Sequence, residues 1–192
     1  MDIYVFKINL TAVEVADHLK PEINDLSTFL SDRAKYALEK GYGVSYTAYH
    51  EGDLVGFFAI NTGHIRFDND ALNREHELDE LNKKNYKNFP AVKIVQLAVH
   101  SDYQRNSNVN IGTQLITAIE AISCNISKHV GIRFLKVDAL ADYRTLKFYT
   151  RVGFKPHYDN AGLKMYTEIM ERRYIGLKPS VSMYLDLQKT GN

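Results

Sequence analysis

"VQLAVHSDYQRNSNVNIGTQLI" (residues 95–116) passes from an apolar run, through a polar, amide-rich stretch, to one glycine and then into apolar residues. Its upstream part belongs to "AVKIVQLAV" (91–99), a mostly apolar run suited to a strand in the middle of a sheet. Downstream, Ile111, Leu115, Ile119, Ile122 and Ile126 recur at spacings of four, four, three and four, which places them on one buried helical stripe. The loop between them enters a helix whose first N–H groups have no partner within it. Their dipoles add to a partial positive charge that suits a phosphate. Gly112 permits close approach of a ligand or backbone, Asn108 and Asn110 tolerate left-handed conformations, and Arg105 adds charge. On these residues alone the stretch reads either as an anion cradle or as an ordinary strand-to-helix connection.

Working outward, "IYVFKINL" (3–10) is rich in aromatic and β-branched residues and reads as a strand. Residues 11 to 40 are helical in composition with a break near Pro21, and Leu26, Phe29, Leu30, Ala34 and Ala37 share one face. "VSYTAYHEGDLVGFFAIN" (44–61) predicts two strands around a "HEGD" turn. The polar segment 62–90 contains "REHELDELNKKNYKN", read as a solvated helix. "IRFLKVDAL" (132–140) predicts a strand and "ADYRTLKFYTRVGF" (141–154) a short helix stopped at Gly153. "GLKMYTEI" (162–169) and "VSMYLDL" (181–187) read as two closing strands. The order predicts one α/β domain over 1–192, a mixed central β-sheet flanked by helices, with 91–99 parallel to 132–140 through a right-handed crossover.

Composition narrows the function. The chain has 192 residues, with 45% apolar and 24% charged, as expected of a globular protein. A net charge of +1 supplies no global field toward nucleic acid or membrane. No apolar run approaches a membrane span, and "MDIYVFKINL" lacks the basic n-region of an export signal, so a cytoplasmic protein is expected. Cys124 is the single cysteine and excludes an internal disulfide or a thiolate metal cluster. The seven histidines form no metal-ligand pattern, so no metal is expected.

A second segment bears on chemistry. "LKFYTRVGF" (146–154) puts Phe148 and Tyr149 near the end of a helix beside the carboxyl ends of the two parallel strands, where open α/β sheets bind ligands. A tyrosine there reads either as a hydroxyl donor to a departing anion or as an aromatic packed over the sheet edge.

Together, "VQLAVHSDYQ", the loop, "IGTQLI", the strand ending "VDAL" and "FYTRVGF" resemble the GNAT superfamily of N-acetyltransferases in order and spacing, over roughly residues 91–156. The resemblance implies a single-domain GNAT-like fold with acetyl-CoA as co-substrate. It implies that the main chain of Leu97, Ala98 and Val99 takes the pantetheine arm. The loop and helix start, from Gln104 and Arg105 to Asn110, Ile111, Gly112 and Thr113, would hold the pyrophosphate. Tyr149 would protonate the departing thiolate, and Asp142 stands where the family often has an asparagine close to the cofactor. Gln104 and Gly112 are eight apart, wider than the family pattern, so the loop is lengthened or Ser107 replaces the usual Gln or Arg. Asn110 stands at the position of the first family glycine. Some members carry a glutamate base on the strand at 91–99; this chain has none there, Lys93 sits near the position, and Asp138, a water relay, or no base at all if the amine arrives neutral are the alternatives.

The reaction implied is direct attack of an amine on the acetyl thioester. The acceptor is a small-molecule or peptide amine, with aminoacyl-tRNA, as for a toxin-like acetyltransferase, kept as an alternative. A non-catalytic acyl-CoA-binding module on the same fold is the other. The locally basic "NKKNYKN" (82–88) and "ERRYIGLK" (171–178) read as solvated faces rather than RNA contacts. A homodimer is compatible with this reading, and no membrane partner is expected.

Overall fold

The structure is a computed structural model that describes residues 3–7, 35–67, 87–104, 110–157, 160–174, 176 and 180–188. The predicted helical face at Leu26, Phe29, Leu30 and Ala34, the bulk of the polar helix and the loop residues Arg105, Ser107 and Asn108 lie outside the described residues. Seven strands are hydrogen-bonded into one mixed sheet, in the order 4–7, 44–50, 53–66, 88–99, 134–140, 180–186 and 155–156. The chain forms two compact units, Met1–Asn61 with Ile94–Ile122 and Thr62–Lys93 with Ser123–Asn192.

In the first unit β1 (Tyr4–Lys7) pairs antiparallel with β2 (Val44–His50), Tyr4 opposite Tyr49. Helix α1 (Lys35–Glu39) precedes β2. β2 turns into β3 (Asp53–Arg66, of which the residues to Asn61 belong to this unit) through Glu51 and Gly52, whose φ angles of 51° and 92° are the left-handed pair of a two-residue hairpin turn. This is the hairpin expected from "HEGD", with β3 running on to Arg66, past the predicted end at 61. β4 (Asn88–Val99) contributes its residues from 94 onward, and α2 (Ile111–Ser127) those to 122. Ile111, Leu115 and Ile119 are fully buried as the spacing predicts, while Ile122 and Ile126 further along the expected stripe are only half-buried, and Ile116 joins the buried set because a helix stripe facing a sheet is broader than one line. Gly56 is where β3 yields to this packing. A Cβ there would lie 2.6 Å from the Ala98 carbonyl oxygen and 3.0 Å from Leu115 Cδ1, so only a glycine fits.

The second unit holds β5 (Phe134–Leu140), α3 (Tyr143–Arg151), the two-residue β6 (Lys155–Pro156), α4 (Asn160–Met170) and β7 (Ser180–Asp186). β7 runs antiparallel to both β5 and β6. Its core is aromatic: Phe67, Phe89, Phe134 and Tyr184 meet edge to face with ring centroids 5.1–5.8 Å apart. Arg133 Nη2 donates to Asp186 Oδ2 at 2.9 Å at one end of the β5–β7 pair.

One expectation fails. Residues 162–169, read as a strand, lie within helix α4. "GLKMYTEI" alternates Leu163, Met165, Thr167 and Ile169, which matches a strand. The residues that are buried, Met165 and Ile169, are four apart and serve a helix equally well. Among the described residues no helix is long and apolar enough to cross a membrane.

Candidate active site

In the first unit the site is the end of β4 and the start of α2. β4 is buried at Phe89, Ala91, Val92 and Ile94, then half-buried from Gln96 through Val99. The strand therefore opens to solvent over Leu97, Ala98 and Val99, the residues expected to take a pantetheine arm. A short 3-10 turn, Ser101–Tyr103, ends the strand. It is pinned by the His100 N–H to the Val55 carbonyl at 2.8 Å, the Tyr103 hydroxyl to Asp53 Oδ2 at 3.2 Å, and Gln104 Nε2 to the Val99 carbonyl at 2.9 Å. The Gln104 side chain thus closes the strand end. Arg105 lies outside the described residues.

Asn110 has φ 48°, the left-handed conformation that asparagine tolerates and glycine adopts freely. Its carbonyl accepts from the N–H of Thr113 at 2.9 Å and Gln114 at 3.2 Å. The N–H groups of Ile111 and Gly112 stand ahead of these bonds, in the first turn of a 17-residue helix, where an anion is favoured. The half-exposed strand and this helix start fit an acyl-CoA.

A cavity of about 470 Å³ adjoins this strand in the same unit, lined by Tyr36 and Tyr42, Ser45, Asn61, and Val95 and Gln96 of β4, among others. That is the size of a small-molecule site. Sequence reading missed it, because its walls come from α1, β2, β3 and β4 and share no local pattern.

In the second unit Asp142 and Tyr149 belong to α3. The Asp142 carboxylate caps the helix: its Oδ1 accepts from the N–H of Arg144 and of Thr145, both at 2.9 Å. Tyr149 is buried against Phe148 and Phe154, with ring centroids at 5.1 and 5.3 Å. Gly153, at φ 97°, ends α3, and the Phe154 N–H returns to the Tyr149 carbonyl at 2.9 Å, fixing the tyrosine's backbone. Burial pushes the Tyr149 hydroxyl up to about 12, so it stays protonated through the neutral range.

Lys93 and Asp138 meet in this unit at 2.7 Å. Burial alone would push the Asp138 carboxyl up. The Lys93 hydrogen bond and charge, with the Lys136 charge and the Ser182 hydroxyl, outweigh it and hold the carboxyl below the ordinary carboxylate range. A carboxylate so stabilised is a weak base, which counts against Asp138 as the proton acceptor.

The sequence profile of the acetyltransferase (GNAT) family matches residues 12–154. Among curated proteins none matches the chain by sequence. Solved structures share the fold. AtaT complexed with acetyl-methionyl-tRNAfMet is 18% identical with a TM-score of 0.71, over 98% of this chain and 97% of that one. AtaTR bound with acetyl-CoA is 19% identical with a TM-score of 0.64, over 98% and 95% of the two chains. The KacTA–DNA complex is 18% identical with a TM-score of 0.64, over 98% and 95%.

Proposed function

This chain belongs to the GNAT acetyltransferase family and is an acetyl-CoA-dependent N-acetyltransferase, and from that premise we propose that residues 1–192 act as one domain that acetylates the α-amine of an aminoacyl-tRNA. The observation that carries the reading is the state of the base. β4 contains no Asp or Glu, and Asp138 is paired with Lys93. Among the described residues of β4 and β5 no unpaired carboxylate stands to deprotonate the acceptor, so on this reading it arrives neutral. At pH 7.5 an α-amine with a pKa near 7.8 is about one-third neutral, whereas a lysine amine near 10.4 is only about 0.1% neutral, a difference of roughly 250-fold. An ester beside the amine, as in aminoacyl-tRNA, lowers its basicity further. The acetyl-methionyl-tRNAfMet held by AtaT, whose fold this chain shares, supports the same acceptor class.

The bound co-substrate supplies an acetyl group activated as a thioester. On this reading the Leu97–Val99 main chain aligns the pantetheine arm and polarises the acetyl carbonyl. The N–H groups of Ile111 and Gly112, with Thr113, hold the pyrophosphate, and Asn110 sets the bend that presents them. Gln104 and Asp142 support these segments, one closing β4 and the other capping α3. Attack forms the C–N bond and breaks the C–S bond; the amine proton leaves to water. The family resemblance gives Tyr149 the role of hydrogen-bond donor to the departing sulfur. Burial keeps the proton on the Tyr149 oxygen, so the hydrogen bond itself is the stabilising contribution.

The test is thiol release from acetyl-CoA with a mixed pool of charged tRNA, the same pool deacylated, and a lysine-containing peptide with a blocked N-terminus. Thiol release with the charged pool alone, and acetylated aminoacyl groups by mass spectrometry, are expected. Turnover of the peptide without turnover of charged tRNA would refute the reading.

A further inference from the structure

Asn61, near the middle of β3, lines the cavity beside β4, and its Oδ1 is buried without a hydrogen-bond partner. A buried acceptor left unpaired carries a cost of about 1–3 kcal/mol, which a ligand N–H removes. The mouth is apolar: among the described residues, the exposed large hydrophobic side chains include Tyr36, Tyr42 and Val95, and all three line this cavity. The Tyr36 and Tyr42 rings stand 6.0 Å apart. No described lining residue carries a carboxylate, ammonium, guanidinium or imidazole group. Gln96 and Val95 are one and two residues ahead of Leu97, so this wall of the cavity lies roughly 3–7 Å along the strand from the segment assigned to the pantetheine arm.

We propose that this cavity selects the acceptor. Asn61 Oδ1 accepts an N–H of the incoming amine, and the side group next to that amine, uncharged and apolar or aromatic, packs between Tyr36, Tyr42 and Val95. This rests on the proposed α-amine acceptor and names its class: amines beside a neutral, apolar side group. A charged side group entering these walls loses its hydration and gains no partner. Asn61 is a neutral acceptor, so it orients the amine without holding it as ammonium.

The experiment uses amino-acid amides, whose α-amines are weakly basic, as small probes: phenylalaninamide, leucinamide, lysinamide and the α-amide of aspartic acid. Wild-type kcat/KM is expected to be at least about ten-fold higher for the first two. Asn61→Leu is expected to lower kcat/KM for these by about ten-fold or more, with acetyl-CoA affinity unchanged. Asn61→Asp retains an acceptor but adds a charge that favours the ammonium form of the bound amine, so the acid limb of its kcat profile moves to higher pH, a change a packing role would not produce. Val95→Arg should reverse the order in favour of the aspartic amide. Binding of phenylalaninamide by calorimetry provides the same comparison independently of turnover. Equal kcat/KM for all four amides, or an Asn61→Leu variant that binds and turns over phenylalaninamide like wild type, would overturn the assignment. Asn61-dependent selection of the amides with no acetylation of any charged tRNA would remove the tRNA reading and leave the cavity assignment standing.

Discussion

Gly56→Ala probes how the cofactor strand is built. The added Cβ would sit 2.6 Å from the Ala98 carbonyl oxygen and 3.0 Å from Leu115 Cδ1. Leu115 is fully buried in the middle of a close-packed stripe, so its methyl has little room to turn away. The Ala98 oxygen is main chain, between two residues also assigned to the cofactor, and yields only if the strand moves. Overpacking of this kind costs about 1–3 kcal/mol, and a contact against main chain belongs at the upper end. For a chain of this length about 3 kcal/mol lowers Tm by roughly 6–12 °C. The chain has no tryptophan, so far-UV circular dichroism through a urea titration is the suitable probe. Acetyl-CoA affinity should fall as well, because relief of the clash displaces Leu97–Val99. A variant within 0.5 kcal/mol of wild type, with unchanged acetyl-CoA binding, would refute the claim that this glycine sets the strand.

Tyr149→Phe should lower kcat by about 10²-fold while leaving the acetyl-CoA dissociation constant nearly unchanged, since the hydroxyl acts as sulfur leaves; unchanged turnover would return Tyr149 to packing. Asn110→Gly should leave acetyl-CoA binding equal or tighter, because the position already holds φ 48°. Gly112→Val should weaken binding through its β-branched bulk; equal dissociation constants for both variants by calorimetry would mean the helix start does not meet the pyrophosphate. Lys93→Met should cost about 1 kcal/mol at pH 7, as expected for a half-exposed pair. Asp138 is depressed in the folded state, so this contribution is present above the ordinary carboxylate pKa of about 3.9 and lost as pH falls through the lower folded value. Urea titrations from pH 7 downward through the acid range should therefore show the difference shrinking as pH falls below about 3.9; a constant difference would assign it to packing.

Much of the architecture was legible in local order. The buried stripe from Ile111, the hairpin at "HEGD" and the stop at Gly153 each depend on residues a few positions apart, and local sterics and periodicity decide them without the rest of the chain. The same reasoning located Asn110 at a left-handed bend and put Tyr149 at the end of a helix. It failed at 162–169 because alternation and four-residue spacing coincide in "GLKMYTEI", and only packing against the sheet chooses between them. It was silent on Gly56, whose necessity lies in the approach of Ala98 and Leu115, both far along the chain. The pairing of Lys93 with Asp138 and the unpartnered Asn61 oxygen were likewise beyond it. Whether a carboxylate is a base or a salt-bridge partner, and whether an amide oxygen is hydrated or orphaned in a cavity, depends on which side chains the sheet brings within about 3 Å. Sequence alone decides most of the secondary elements and the residue types the chemistry can draw on; tertiary structure decides the ambiguous ones, the protonation of the side chains and their partners.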